Sequence, residues 1–147
     1  DYAAPRLRAL LDSPAVVKLF HFAPFDLAEL RRYLGVDCRP VYCTKVASRL
    51  VRTYTDRHGL KDLCRELIGV DLSKEQQSSD WGAETLTPAQ LNYAAADVLH
   101  LHALKAELDR RLDREGRRAL AEACFAFLPT RAALDLAGWA DEDILAH

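Results

Sequence analysis

The sequence of 147 residues contains no methionine, not even at position 1, and it opens on DYAAPRLRALLDSP, already in a helical pattern. A processed or trimmed start is expected. No apolar run approaches the roughly 18 residues of a membrane span, and no basic-then-apolar leader precedes the first helix. No membrane partner is read from it. The four cysteines, Cys38, Cys43, Cys64 and Cys124, form no C-x-x-C pair and meet no histidine cluster at zinc-finger spacing, which fits a reduced, cytoplasmic compartment. Neither sign of charge is in excess, 20 basic residues against 22 acidic, so the molecule as a whole does not steer towards nucleic acid. Nucleophile elbow, P-loop and dinucleotide glycine patterns are all absent. With 50% hydrophobic and 29% charged residues, and no repeat, low-complexity tract or linker, the composition is that of one globular domain over residues 1–147.

The clearest element is a helix opening at Thr87-Pro88-Ala89-Gln90, which places a capping hydroxyl, a proline at the first position and a glutamine three residues after the cap. Upstream, a helix is predicted around Pro5–Leu11. The β-branched and aromatic run AVVKLFHF, Ala15–Phe22, reads as a buried strand. Pro24 then starts a helix that Gly35 stops, and further helices are predicted at Thr44–Arg52 and Leu60–Ile68. A polar loop, DLSKEQQSSDWGAE, leads to the Thr87 helix. After it come the charged LDRRLDREGRR, the apolar ALAEACFAFL, and from Pro129 a last segment to His147. A single strand cannot make a stable sheet. Either further strands lie upstream of Asp1, or the chain is all-helical.

The Thr87 helix carries an acid in the wrong place. At 100° per residue, Tyr93, Asp97, Leu101, Leu104 and Leu108 fall in one stripe about 80° wide, with Leu91, Ala94, Ala95 and Val98 opposite, as in a helix buried on several faces. A carboxylate there must be paired, metal-bound or protonated. Tyr93 lies one turn before Asp97, about 5–6 Å away at Cβ, so the two could serve one site; a structural ion pair is the plainer alternative. Asp26 follows the end of the predicted strand, where α/β sheets commonly place their ligand crevice, although the helix dipole favours an acid there without any ligand. Between Arg39 and Lys61 stand six basic residues, Lys45 and Arg49 among them, against the single acid Asp56. They could hold phosphates or form a solvated face. Gln76, Gln77 and Ser78 are donors for phosphate or ribose oxygens, or part of a short capped helix. His100 and His102 read as packing or surface residues.

Taken together, FHFAPFDLAEL, DLCRELIGVDLSKEQQSSDW and LTPAQLNYAAADVLHLHAL resemble the DEDDy exonucleases of the ribonuclease D type. CTKVASRLVRTYTDRHGLKDLC and CFAFLPTRAALDLAGW extend the resemblance over essentially the whole chain, towards the small oligoribonucleases of the nanoRNase C type. The resemblance implies an α/β, ribonuclease H-like fold, a mixed sheet flanked by helices, of which the part present is mostly helical. It implies stepwise 3′-5′ hydrolysis of very short RNA, dinucleotides especially, with two divalent ions, Mg²⁺ or Mn²⁺. Asp26 and Asp97 match the second- and third-motif metal-binding aspartates, and Tyr93 the catalytic tyrosine; Phe25, Lys45, Arg49, Gln76, Gln77 and Ser78 are candidate substrate contacts. A ring-like homo-oligomer is also implied, an octamer being one such ring. The apolar segment 129–147 is expected in subunit contacts. The first motif, an Asp-x-Glu pair, has no counterpart, because the only D-x-E, Asp113-Arg114-Glu115, lies beyond Asp97. The domain is therefore expected to be N-terminally incomplete. The alternatives are a non-catalytic RNA-binding or assembly module of the same fold, or a ribonuclease D-type tRNA-processing exonuclease.

Overall fold

A computed structural model of the chain describes residues 4–72, 82 and 85–147, and of residues 89 and 91–97 the helical backbone alone. The elements run α1 Pro5–Asp12, β1 Lys18–Phe20, α2 Ala23–Leu34, β2 Val41–Cys43, α3 Thr44–Val51, α4 Leu60–Ile68, α5 Pro88–Arg114 and α6 Arg118–Leu134, followed by a wider helical turn at Asp135–Trp139. The two strands pair in parallel, with Lys18 opposite Val41 and Phe20 opposite Cys43. The all-helical alternative is thereby excluded. The sheet among the described residues is this parallel pair, and the strand predicted over Ala15–Phe22 is pared to three residues.

Local signals account for most boundaries. Gly35 ends α2 at φ 67°, a left-handed conformation that glycine adopts without a Cβ penalty, and its N–H donates to the Arg31 carbonyl. At α5 the capping box forms as predicted: the Gln90 N–H donates to Thr87 Oγ1 (3.1 Å) and the Thr87 N–H to Gln90 Oε1 (2.8 Å). Pro129 does not break its helix. Its ring is buried inside α6, where packing against the core outweighs the lost N–H donor. Beside it, Arg39 Nη1 donates to the Ala126 carbonyl at 2.7 Å, an extra partner for the backbone next to the proline.

The core joins Leu27 of α2, Val41 and Cys43 of β2, Leu63 of α4, Leu104, Leu108 and Leu112 of α5, and Phe125 of α6. α2 packs on α6, and α5 on α3 and α4. Burial of α5 is less general than its composition suggests, since Val98 and Leu99 are exposed: no described element covers that side. At the head of β1, the Lys18 ammonium donates to the carbonyls of Ser13 (2.7 Å), Val16 (2.7 Å) and Arg39 (2.8 Å). This cage satisfies a buried charge and ties the entry of β1 to that of β2.

Candidate active site at the carboxyl end of the parallel strands

Both strands deliver their carboxyl ends to one place. From β1 the chain passes through His21 and Phe22 into α2; from β2 it passes directly into Thr44 and Lys45 of α3. The two exits are laced together. The Thr44 hydroxyl donates to the Phe20 carbonyl (3.2 Å) and shares a hydrogen bond with His21 Nδ1 (2.9 Å), while the Ala23 N–H donates to Cys43 Sγ (3.4 Å). Burial, reinforced by the Lys45 charge, lowers the His21 pKa to about 4.

Asp26 stands in the first turn of α2, half-buried, with its pKa raised by burial. No described side chain pairs with it. Its ionised form is therefore penalised rather than rescued by neighbours, the situation of a hard oxygen ligand whose counter-charge is a cation. Asp26 fits a divalent ion on this ground. Tyr93 and Asp97 follow one another by one turn on the α5 backbone, and their side chains lie outside the described residues. The same holds for Gln76, Gln77 and Ser78. Among the described residues, no three His, Cys, Asp or Glu side chains gather as a metal site.

The basic segment divides. Arg52 is turned inward: Nε donates to Glu66 Oε2 (2.6 Å), and Nη1 donates to Ser48 Oγ (3.0 Å) and the Arg57 carbonyl (2.5 Å). It is a strut between α3 and α4, not a phosphate ligand. Glu66 is held below the usual carboxylate range by the Arg52 hydrogen bond, aided by the Tyr54 hydroxyl (2.6 Å). Buried Ser48 and His58 touch at 2.8 Å, but Arg52 occupies the serine oxygen, so they belong to the same strut. Lys45 and Arg49 remain towards solvent, one turn apart on α3. Lys45 Nζ sits 4.5 Å over the Phe22 ring. Phe25 is 66% exposed, open to a ligand as its candidacy requires. Sequence reasoning missed His21, Phe22 and Thr44, although the strand exit FHFAP already put the first two beside Asp26.

A cavity of about 450 Å³ lies elsewhere, walled by Val17, Pro40, Tyr42 and Phe125 with Lys105 and Arg118 at its side. Those cations are already paired with Asp109, which also accepts from the Tyr42 hydroxyl. It includes none of the candidate residues.

A family model described as 3′-5′ exonuclease matches residues 1–113. The chain belongs to this family. As a member of it the domain has the ribonuclease H-like exonuclease fold, here mostly helical with a small parallel sheet. Among curated relatives, ribonuclease D of Gluconacetobacter diazotrophicus is 41% identical over 111 residues, which are 76% of this chain and 28% of the relative. Among solved structures, Brucella melitensis NrnC with bound Mg²⁺ is 59% identical at a TM-score of 0.92, covering 98% of this chain and 70% of that one. The same NrnC bound to pGG superposes at a TM-score of 0.94 with 59% identity, covering 100% and 71%. The exonuclease domain thus spans little more than a quarter of the curated relative and about 70% of the NrnC chain. No helix among the described residues is long and apolar enough to cross a membrane.

Proposed function

We propose that this chain is the catalytic part of a cytoplasmic 3′-5′ exoribonuclease that hydrolyses very short RNA, dinucleotides above all, to mononucleotides. The observation that carries this reading is the likeness to Brucella NrnC, at 59% identity in both the Mg²⁺ and the pGG complexes. Asp26 and Asp97 would hold two divalent ions, Mg²⁺ or Mn²⁺. Such ions supply charge neutralisation at the phosphate and a more acidic water. The chain's own contribution is placement. α2 presents Asp26 at the carboxyl end of β1, and α5 carries Tyr93 one turn before Asp97; the role proposed for the phenol is to orient the attacking water by hydrogen bonding. Phe25, Lys45, Arg49, Gln76, Gln77 and Ser78 are the proposed RNA contacts.

This reading also requires an Asp-x-Glu pair from outside residues 1–147, so the assay uses the protein encoded by the full gene. Asp97→Asn and Asp26→Asn should each abolish metal-dependent release of mononucleotides from a dinucleotide, and Tyr93→Phe should slow it by about 10²–10⁴. Wild-type rates in these variants would end the assignment. The second reading is a tRNA-processing exonuclease of the ribonuclease D type, and what favours it is the likeness to relatives named ribonuclease D. A ladder of RNA lengths separates the two, since the first predicts a steep fall in rate beyond two nucleotides.

A further inference from the structure

Phe22 is a residue that folding alone does not call for. It occupies the N-cap of α2 at φ 63°, ψ 63°, donates and accepts no capping side-chain hydrogen bond, and leaves 49% of its surface exposed. A bulky side chain in the left-handed region is strained; glycine or asparagine would hold the same turn at less cost. Burial of half the side chain offsets part of that cost, and a cation over an exposed ring is a weak further compensation. The strained ring nevertheless stands four residues before Asp26, with the Lys45 ammonium 4.5 Å from its centroid and Arg49 one turn further along α3. One side of the ring meets Lys45. The exposed remainder of the ring is open, and the ammonium has N–H donors left over.

We propose that Phe22 and Lys45 form a clamp for one nucleotide of the short RNA: the ring stacks on its base and the ammonium takes its phosphate. This deepens the nuclease reading and rests on it for the identity of the ligand. The clamp reads no base edge, so it holds every sequence, because all bases offer a π-face. A processing enzyme for one RNA would need edge contacts; a scavenger of mixed short fragments needs what Phe22 provides. The left-handed turn is what lifts the ring out of the core, where a β1 residue of this character would otherwise pack.

The test is binding, measured on the full-gene protein with Ca²⁺ in place of Mg²⁺ and a 5′-phosphorylated dinucleotide containing 2-aminopurine, whose fluorescence falls on stacking. Wild type should quench the probe. Phe22→Leu should remove the quench and weaken binding about tenfold or more, and Phe22→Trp should restore both. Phe22→Asn, which accepts the left-handed turn, guards against misfolding: its Tm should rise while the quench is lost. Lys45→Met should lower the slope of log Kd against log salt by about 0.7, the amount for one contact to a single strand, and Lys45→Arg should restore it. Undiminished quench and affinity in Phe22→Leu and Phe22→Asn would overturn the clamp, and would do so even if hydrolysis is confirmed. Quenched binding by wild type without any hydrolysis in Mg²⁺ or Mn²⁺ would instead uphold the clamp and remove the nuclease reading.

Discussion

At the scale of single residues, burial separates ligands from struts. Arg52 is 3% exposed and committed to Glu66, so Glu66→Gln should destabilise the fold by about 1–3 kcal/mol, as a buried guanidinium trades a charged acceptor for a neutral one. Urea unfolding measures this, and RNA affinity should not change. Arg49→Ala, on the exposed side of the same helix, should do the reverse. His21 gives a pH signature. Its folded pKa, near 4, lies below the unfolded value of 6.5, so the unfolded chain binds the extra proton first. Its contribution is complete above about pH 6.5 and is lost as pH falls towards 4. Allowing for residual solvent, the loss is of order 2 kcal/mol. Urea midpoints between pH 7 and pH 4 should decline less steeply in His21→Gln than in wild type.

At the scale of elements, end signals were legible and short buried strands were not. The Thr87 cap, the Gly35 stop and α3 and α4 follow the sequence closely, because capping chemistry and helical periodicity are local. β2 escaped notice because Val41-Tyr42-Cys43 is only three residues, all buried, and too short to show alternation. From the sequence a new segment is read at Pro129, whereas α6 runs through it, because its tolerance there depends on tertiary packing. The inward turn of Arg52 was equally invisible, because a charge run does not reveal which member finds a buried acid. Asp26 was legible from its place after a strand; Phe22 was not, since nothing in its residue type announces a left-handed turn. The cap that opens the Tyr93–Asp97 helix has its own test. Thr87→Ala should cost about 1 kcal/mol and speed amide exchange in the first turn of α5.

At the scale of the whole molecule, the segment after Pro129 exposes more large apolar side chains than a solvated tail needs. Leu136, Trp139 and Ile144 are 44%, 44% and 48% exposed, and Leu145 80%. Trp139, Ile144 and Leu145 line one small pocket, and exposed apolar side chains so placed suit an interface, so we propose that segment 129–147 carries contacts of a ring-like homo-oligomer. Light scattering on the full-gene protein should return an oligomer, and Trp139→Ala with Leu145→Asp should shift it to smaller species; a monomeric wild type would remove the proposal. All four cysteines are free, three buried and Cys124 exposed, so sizing is best done with reductant present.

The three carbonyls that enclose the Lys18 ammonium also shield it from electrophiles. An amine-directed acylating reagent should mark Lys45, Lys61 and Lys105 well before Lys18, whose modification then times the opening of the sheet. The molecule therefore carries its own clock for unfolding, read by mass spectrometry as the acyl mass added at Lys18.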